Sequence, residues 1–293
     1  MQLLAYLLLY PIIWFISILP FRVLYFFSDI CYVIIYHIIG YRRRTVRENL
    51  ALTLRHLSPA ERKVIEKKFY RHFTDSFFEM AKTLTISDKE LEQRYVFENY
   101  EVINELEAKG KSIIMLLGHY ASYEWLIIMN RRLVSFKGFG VYKVIKNRYF
   151  DKLVRKIRGK FNTELIGTRE TIPTMRQNER DGILGIYGFV ADQSPKLGKA
   201  MHWAKFFDMD VPVFTGGEML AKKLDLNIVY VKTSKTSRGH YAASFVAVEN
   251  IQSIPDFQIT DGFLRMLEQQ ILEAPEYYLW THKRFKHRKN DPA

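Results

Sequence analysis

The 293 residues predict an α/β fold: a single layered domain with a mostly parallel or mixed central sheet flanked by helices, plus an N-terminal hydrophobic membrane-anchoring helix. Three observations predict it. From Lys111 onward, short β-like runs alternate with helix-like stretches, the pattern of strand–helix–strand units. Two of these runs, 112–117 and 183–190, are almost continuously apolar, as strands covered on both faces are. Residues 3–21 carry no charge, and that is about the length that crosses a hydrocarbon core of roughly 30 Å. No repeat or low-complexity linker breaks the remainder, so the expected organisation is an anchor over 1–40 and one catalytic domain over 41–293.

The first apolar run contains Trp14 and several tyrosines and is interrupted by Pro11 and Pro20; the second, 23–40, contains Asp29 and His37 and is less suited to crossing lipid unaided. A basic leader and a small-residue cleavage site are both missing, which favours a retained anchor over a signal peptide. Arg42, Arg43, Arg44 and Arg47 follow and place the domain on the cytoplasmic side by the positive-inside bias. The alternatives are a buried hydrophobic hairpin and a pair of helices lying in the interface. Ser58-Pro59-Ala60-Glu61 opens a helix: serine caps, proline fits the first position, and glutamate returns the hydrogen bond. Ile65, Phe69, Phe73, Phe77, Ala81 and Leu84 then recur on one face. Further on, 121–132 reads as helix, 138–145 as strand, 147–160 as a basic helix, 215–224 as helix, 227–233 and 241–248 as strands, and 259–272 as helix.

A hydrophobic fraction of 48% with 15% aromatic residues excludes a disordered chain. The net charge of +13 suggests an anionic partner: nucleic acid, an acidic protein or an anionic lipid surface. No nucleic-acid motif accompanies the basic and aromatic residues. Cys31 is the single cysteine, so no internal disulfide forms. Metal-ligand spacings and a phosphate-binding glycine loop are absent from the sequence, and neither metal nor cofactor is expected.

Chemistry concentrates where the apolar runs end. Gly118-His119-Tyr120-Ala121-Ser122-Tyr123-Glu124 follows run 112–117 directly, and the carboxyl end of such a strand faces the crevice where α/β proteins bind ligands. The reading is a general base, His119, oriented by Glu124, whose carboxylate fixes the tautomer and stabilises the imidazolium. The bland alternative is a surface histidine beside an unrelated glutamate. A Gly-x-Ser-x-Gly elbow is missing and Cys31 lies in the anchor, so direct attack by an acceptor hydroxyl is expected rather than a covalent intermediate. Arg158 closes a basic helix with Lys152, Arg155 and Lys156; it is a candidate for binding an oxyanion or a phosphate, against a solvated basic face. Asp192 and Gln193 follow the second apolar run and are candidate supporting residues, positioning Arg158 or the acceptor. The segment 195–212 mixes lysines with Met201, Trp203, Phe206 and Phe207 and suits a lid on the headgroup region, or else a packed loop. The basic C-terminal stretch with Trp280, Arg284 and Lys286 suits docking to an acidic protein or to phosphate.

Taken in order, these residues resemble the bacterial late acyltransferases of lipid A biosynthesis, the lauroyl/myristoyl transferase family, relatives of the His-x4-Asp/Glu glycerolipid acyltransferases. The resemblance runs from Arg42-Arg43-Arg44-Thr45-Val46-Arg47-Glu48-Asn49-Leu50 through Gly118-His119 to Glu124, then Val141-Tyr142-Lys143, Asn147 and Arg158. It continues with Ala191-Asp192-Gln193-Ser194 and Thr215-Gly216-Gly217-Glu218, and closes on Trp280-Thr281-His282-Lys283-Arg284-Phe285-Lys286. It implies an acyl-carrier-protein thioester as donor, a hydroxyl on an acyl chain of an anionic glucosamine disaccharide phospholipid, a lipid A precursor, as acceptor, and a site on the cytoplasmic face of the bacterial inner membrane. It also implies that Arg158 and Lys143 bind the oxyanion or phosphate; lysine at 143 stands where the family often has arginine, and Thr281 replaces a bulkier residue. Transfer to another membrane lipid, an aminolipid or glycerophospholipid, and a non-catalytic basic membrane adaptor are the alternatives.

Overall fold

The structure, a computed structural model, describes residues 2–289. The chain opens with α1 (Gln2–Ile18), α2 (Phe21–Tyr32) running on into a π-helical segment (Val33–Ile39), α3 (Arg43–Thr53), α4 (Pro59–Lys82) and α5 (Asp88–Arg94). Then come β1 (Tyr95–Phe97), α6 (Glu101–Ala108), β2 (Ile113–Leu117), a 3-10 helix (Tyr123–Arg131), β3 (Lys137–Tyr142), α7 (Arg148–Arg158), β4 (Thr163–Gly167), α8 (Thr171–Arg180) and β5 (Gly185–Val190). The chain continues through β6 (His202–Phe206), β7 (Met209–Val213), α9 (Gly216–Leu224), β8 (Asn227–Ser237), β9 (His240–Val248) and α10 (Gln258–Glu273).

Seven strands form one sheet in the order β1-β9-β8-β2-β5-β3-β4. All neighbours are parallel except the β8–β9 hairpin, so the sheet is mixed and mostly parallel, as expected. β2 lies at its centre with all five residues buried. The capping box of α4 forms as the sequence predicts: Glu61 N donates to Ser58 Oγ and Ser58 N donates to the Glu61 carboxylate. Strands at 95–97 and 163–167 were not foreseen. Each spans only three to five residues, too short to show a strand period, and pairing with the neighbouring strand fixes it.

The helix read over 121–132 is present as a 3-10 helix over Tyr123–Arg131, entered through a left-handed Ala121 (φ 48°). Two expectations need correction. The segment 195–212 is no lid. It folds as the antiparallel hairpin β6–β7, with Ala204, Phe206, Met209 and Val211 buried and Phe206 stacked on Phe285. Alternation, read as a mixed loop, is the period of a strand covered on one face. Trp280 and Arg284 do not form a docking surface either, being 0% and 1% exposed.

Pro20 breaks the apolar start into two helices, and the better candidate for crossing a membrane is the second. Phe21–Ile39 has the length and composition for it, while Gln2–Ile18 is shorter. Asp29, which argued against the second run, is paired with Arg238 at 2.8 Å. Ser28 Oγ donates to Asp75 of α4 at 2.7 Å. The opposite faces stay bare: Leu4, Leu8, Ile12, Phe15, Phe26, Ile38 and Ile39 are all more than half exposed.

Candidate active site

The site is made by strand register. β2 and β5 are parallel neighbours paired to Leu117 opposite Val190, and Ala191 N donates to Leu117 O at 3.0 Å. Two residues beyond that last pair stand His119 and Asp192. Residues two apart share a face of a strand, so the register delivers both side chains to one spot, with His119 Nδ1 2.6 Å from Asp192 Oδ1. Asp192 is buried and His119 retains 18% side-chain exposure. Nδ1–H donates to the carboxylate, which fixes the tautomer and leaves Nε2 as the acceptor. The Gln193 amide nitrogen lies 3.3 Å from Nε2.

Glu124 is therefore not the hydrogen-bond partner of His119. Its carboxylate accepts two bonds from Arg158, Nε to Oε2 at 2.8 Å and Nη2 to Oε1. The cause is local: the left-handed Ala121 turns the chain, and the 3-10 helix carries Glu124 toward the last turn of α7, where Arg158 sits. Arg158 is thereby fixed in a bidentate geometry with Nη1 still free of a protein acceptor among the described residues. Lys152 and Lys156, on the same helix, are exposed, and Arg155 donates to the Tyr142 hydroxyl at 2.9 Å. Lys143 is exposed at the mouth of the adjoining cavity.

Electrostatics tune the pair. Burial disfavours the imidazolium of His119, but the charge and hydrogen bond of Asp192, with Glu124 nearby, outweigh it and raise the imidazole above its ordinary 6.5. Burial pushes the Asp192 carboxyl up, yet His119 and the buried Arg284 hold it below 3.8.

The His119 turn is clamped from outside the sheet. Leu279 N donates to His119 O at 3.1 Å, and Ala121 N donates to Tyr277 O at 2.9 Å. The clamping segment is itself held by Asn49, which donates to Trp280 O and His282 O, both at 2.8 Å, and by Arg42, which donates to Thr281 O. Arg284 lies behind the site, donating to Ser194 Oγ at 2.9 Å and Pro212 O at 3.2 Å. The segment 42–49 and the segment 277–284 thus meet as one support.

A cavity of about 630 Å³ opens beside these groups. Its mouth carries His119, Glu124, Lys143, Arg158 and Gln193; its walls are apolar, with Leu117, Phe139, Leu165 and Phe189 among them. Gly140 and Gly188 are cross-strand neighbours under it, and their missing side chains open a trough across the sheet. Asn130 and Thr163 bound the far end, joined by a 2.7 Å hydrogen bond. From Thr163 to the end of β4 is about 13 Å at roughly 3.3 Å per residue. A trough of this shape accommodates a straight hydrocarbon chain with its head at the charged mouth.

A family model described as bacterial lipid A biosynthesis acyltransferase matches residues 2–287. The chain belongs to that family. It is an acyltransferase of the lipid A biosynthesis type, and the resemblance read from its motifs holds over nearly the whole length. It is 22% identical to the lipid A biosynthesis lauroyltransferase of Escherichia coli K12, over 94% of this chain and 90% of that protein. Against the lipid A biosynthesis acyltransferase 2 of Shigella flexneri it is 20% identical over 86% and 80% of the two chains, and against the myristoyltransferase of Escherichia coli K12 20% over 84% and 76%. The sequence places Asp192 past run 183–190 at the same offset as His119 past run 112–117, which marks both for the crevice, but the pairing of the two strands that joins them is a tertiary fact. The support provided by Asn49 and Arg284 had no such signal, because it depends on contacts between the two ends of the chain.

Proposed function

We propose that the protein moves a fatty acyl group from an acyl-carrier-protein thioester to a hydroxyl of a lipid A precursor, by direct attack at the cytoplasmic face of the bacterial inner membrane. His119 is the general base. The acceptor oxygen bonds to the thioester carbonyl carbon while its proton passes to Nε2, and Asp192 steadies the imidazolium through Nδ1. Arg158, held by Glu124, offers its remaining N–H groups to the oxyanion, with Lys143 nearby. Collapse of the tetrahedral intermediate expels the thiolate, which takes the proton back from the imidazolium. The products are an ester and a free thiol.

The observation that carries this reading is the 2.6 Å contact between His119 and a buried Asp192 at the mouth of an apolar trough. The exposed Lys143 at that mouth, with the exposed Lys152 and Lys156 on the helix that carries Arg158, suits an acidic carrier protein. The bare apolar faces of α1 and α2 suit contact with a bilayer. The test is a purified assay with lauroyl and myristoyl carrier-protein thioesters and a lipid A precursor in detergent. His119→Ala lowers transfer by about 10²–10⁴ while the protein still folds; a variant as fast as wild type overturns the mechanism. Lipid mass spectrometry of a deletion strain shows lipid A short of one acyl chain, and loss from another lipid instead assigns a different acceptor.

A further inference from the structure

A second histidine stands behind the turn that presents His119. Ala121 is a non-glycine residue in the left-handed region (φ 48°), and such a residue stays there only where its surroundings hold it. Its N–H is held, donating to Tyr277 O at 2.9 Å. On the carbonyl side stands His72 of α4, buried and lining with Ala121 and Tyr277 one small cleft beside His119. The Ala121 carbonyl is the backbone acceptor for this ring. The ring also meets Tyr277 edge-on, with centroids 5.0 Å apart. His72 therefore bonds one side of Ala121 and packs on the residue that bonds the other.

The tautomer of His72 follows from Lys235. An ammonium has only N–H groups to offer, and Lys235 Nζ lies 3.3 Å from His72 Nδ1. Nδ1 therefore accepts, and Nε2 carries the proton that is donated to Ala121 O. With Nδ1 capped by a cation and Nε2 already protonated, the ring is no second base. Lys235 is itself held in place. Its side chain is 8% exposed and lies 3.7 Å from Asp75, with Nζ over the rings of Tyr241 and Tyr277. Asp75 accepts from Arg238 and from Ser28 Oγ, each at 2.7 Å, and Arg238 donates to Asp29 of α2 at 2.8 Å. A line of charged and hydrogen-bonded groups thus runs from α2, through α4 and the β8–β9 hairpin, to the catalytic turn. We propose that His72 and Lys235 are positioning residues for the transfer reaction: Lys235 fixes His72, and His72 holds Ala121 left-handed, so that His119 stays aimed at Asp192 and Glu124 is sent to Arg158. This rests on the proposed transfer and deepens it, but the position of the turn can be read without turnover.

The test uses the full-length protein in detergent with isotope-labelled histidine. His72→Phe keeps a ring against Tyr277 and removes both nitrogens. His72→Gln keeps an amide that can donate to Ala121 O. Lys235→Met keeps the stem and removes the ammonium, and gives a second reading where His72→Phe lowers the melting temperature. In His72→Phe and Lys235→Met the His119 resonance, assigned by its loss in His119→Gln, titrates at lower pH than in wild type, because the pairing with Asp192 loosens. With a myristoyl carrier-protein thioester and a lipid A precursor, kcat falls about tenfold to a hundredfold in both, while the KM for each substrate stays within twofold of wild type. His72→Gln recovers most of the kcat and the wild-type titration. An unchanged His119 titration in both His72→Phe and Lys235→Met overturns the assignment. So does a loss confined to KM, or a loss of kcat that His72→Gln leaves unrepaired. Absence of transfer by wild-type protein would instead strike the proposed reaction, and the titrations would still decide the positioning, so the two failures are distinct.

Discussion

His119 has two carboxylates near it and a different relation to each. Asp192 holds its Nδ1 and Glu124 contributes only charge from across Arg158. Because a base must be neutral to take a proton, and His119 titrates above 6.5, kcat/KM rises with pH along a limb centred above that value. Asp192→Asn removes the main stabiliser of the imidazolium, so the limb moves to lower pH while the plateau falls by about 10²-fold or more. A limb that stays in place would show that Asp192 does not set the basicity of the ring. Stability follows the same pair with opposite signs at its two ends. The raised imidazole contributes below 6.5 and loses its contribution as pH climbs through its folded value. The lowered carboxyl contributes above 3.8 and loses it as pH falls through its folded value. Urea titrations should therefore show the gap between wild type and Asp192→Asn widest between those limits.

At the scale of elements, the trough and the clamp each depend on residues without chemistry of their own. A Cβ added at Gly188 meets nothing nearer than Phe139 O at 3.6 Å, so the strand accepts a side chain there and Gly188→Leu should obstruct the trough. We expect the preferred donor to shorten by several carbons, measured by competition between thioesters of different length; an unchanged profile would place the acyl chain elsewhere. The clamp is tested at Asn49. Asn49→Ala leaves the carbonyls of Trp280 and His282 without their donor, which costs about 1–3 kcal/mol. Denaturant midpoint should drop accordingly, and kcat should drop with it because the His119 turn loses its backing. The strands at 95–97 and 163–167 are too short to show a period and take strand form by pairing with a neighbour's edge, whereas the β6–β7 hairpin carries an alternation whose mix of lysines and aromatics also suits a loop.

At the scale of the molecule, the apolar helices are bolted to the domain by charge. Arg238, in the β8–β9 turn, reaches Asp29 of α2 at 2.8 Å and Asp75 of α4 at 2.7 Å, and Ser28 adds a further bond to Asp75. This joint ties α2, and with it that helix's exposed apolar face, to α4 and the β8–β9 turn. Leu8 and Phe15 are 65% and 52% exposed on α1. The double variant Leu8→Asp, Phe15→Asp should lose most of its binding to anionic vesicles in a flotation assay while keeping its melting temperature. Raising the salt from 0.1 M to 1 M should weaken wild-type binding only in part, since ionic attraction is screened and apolar burial is not. Complete release by salt would mean that the +13 charge, rather than the apolar face, holds the protein to lipid.

Local features were legible because their causes are local. The uncharged start, the α4 capping box, the buried runs and the histidine placed just past one of them follow from side-chain type and spacing over a few residues. The family followed as well, since the order of motifs is a linear property. Partnership was not legible in the same way. Whether His119 would meet Glu124, five residues on, or Asp192, seventy-three residues away, depends on which strand lies beside β2, and on a left-handed turn at Ala121 that swings the nearer carboxylate away. Strand order and the docking of one chain end on the other are settled by burial of the whole sheet, a cooperative quantity that no single stretch of residues carries.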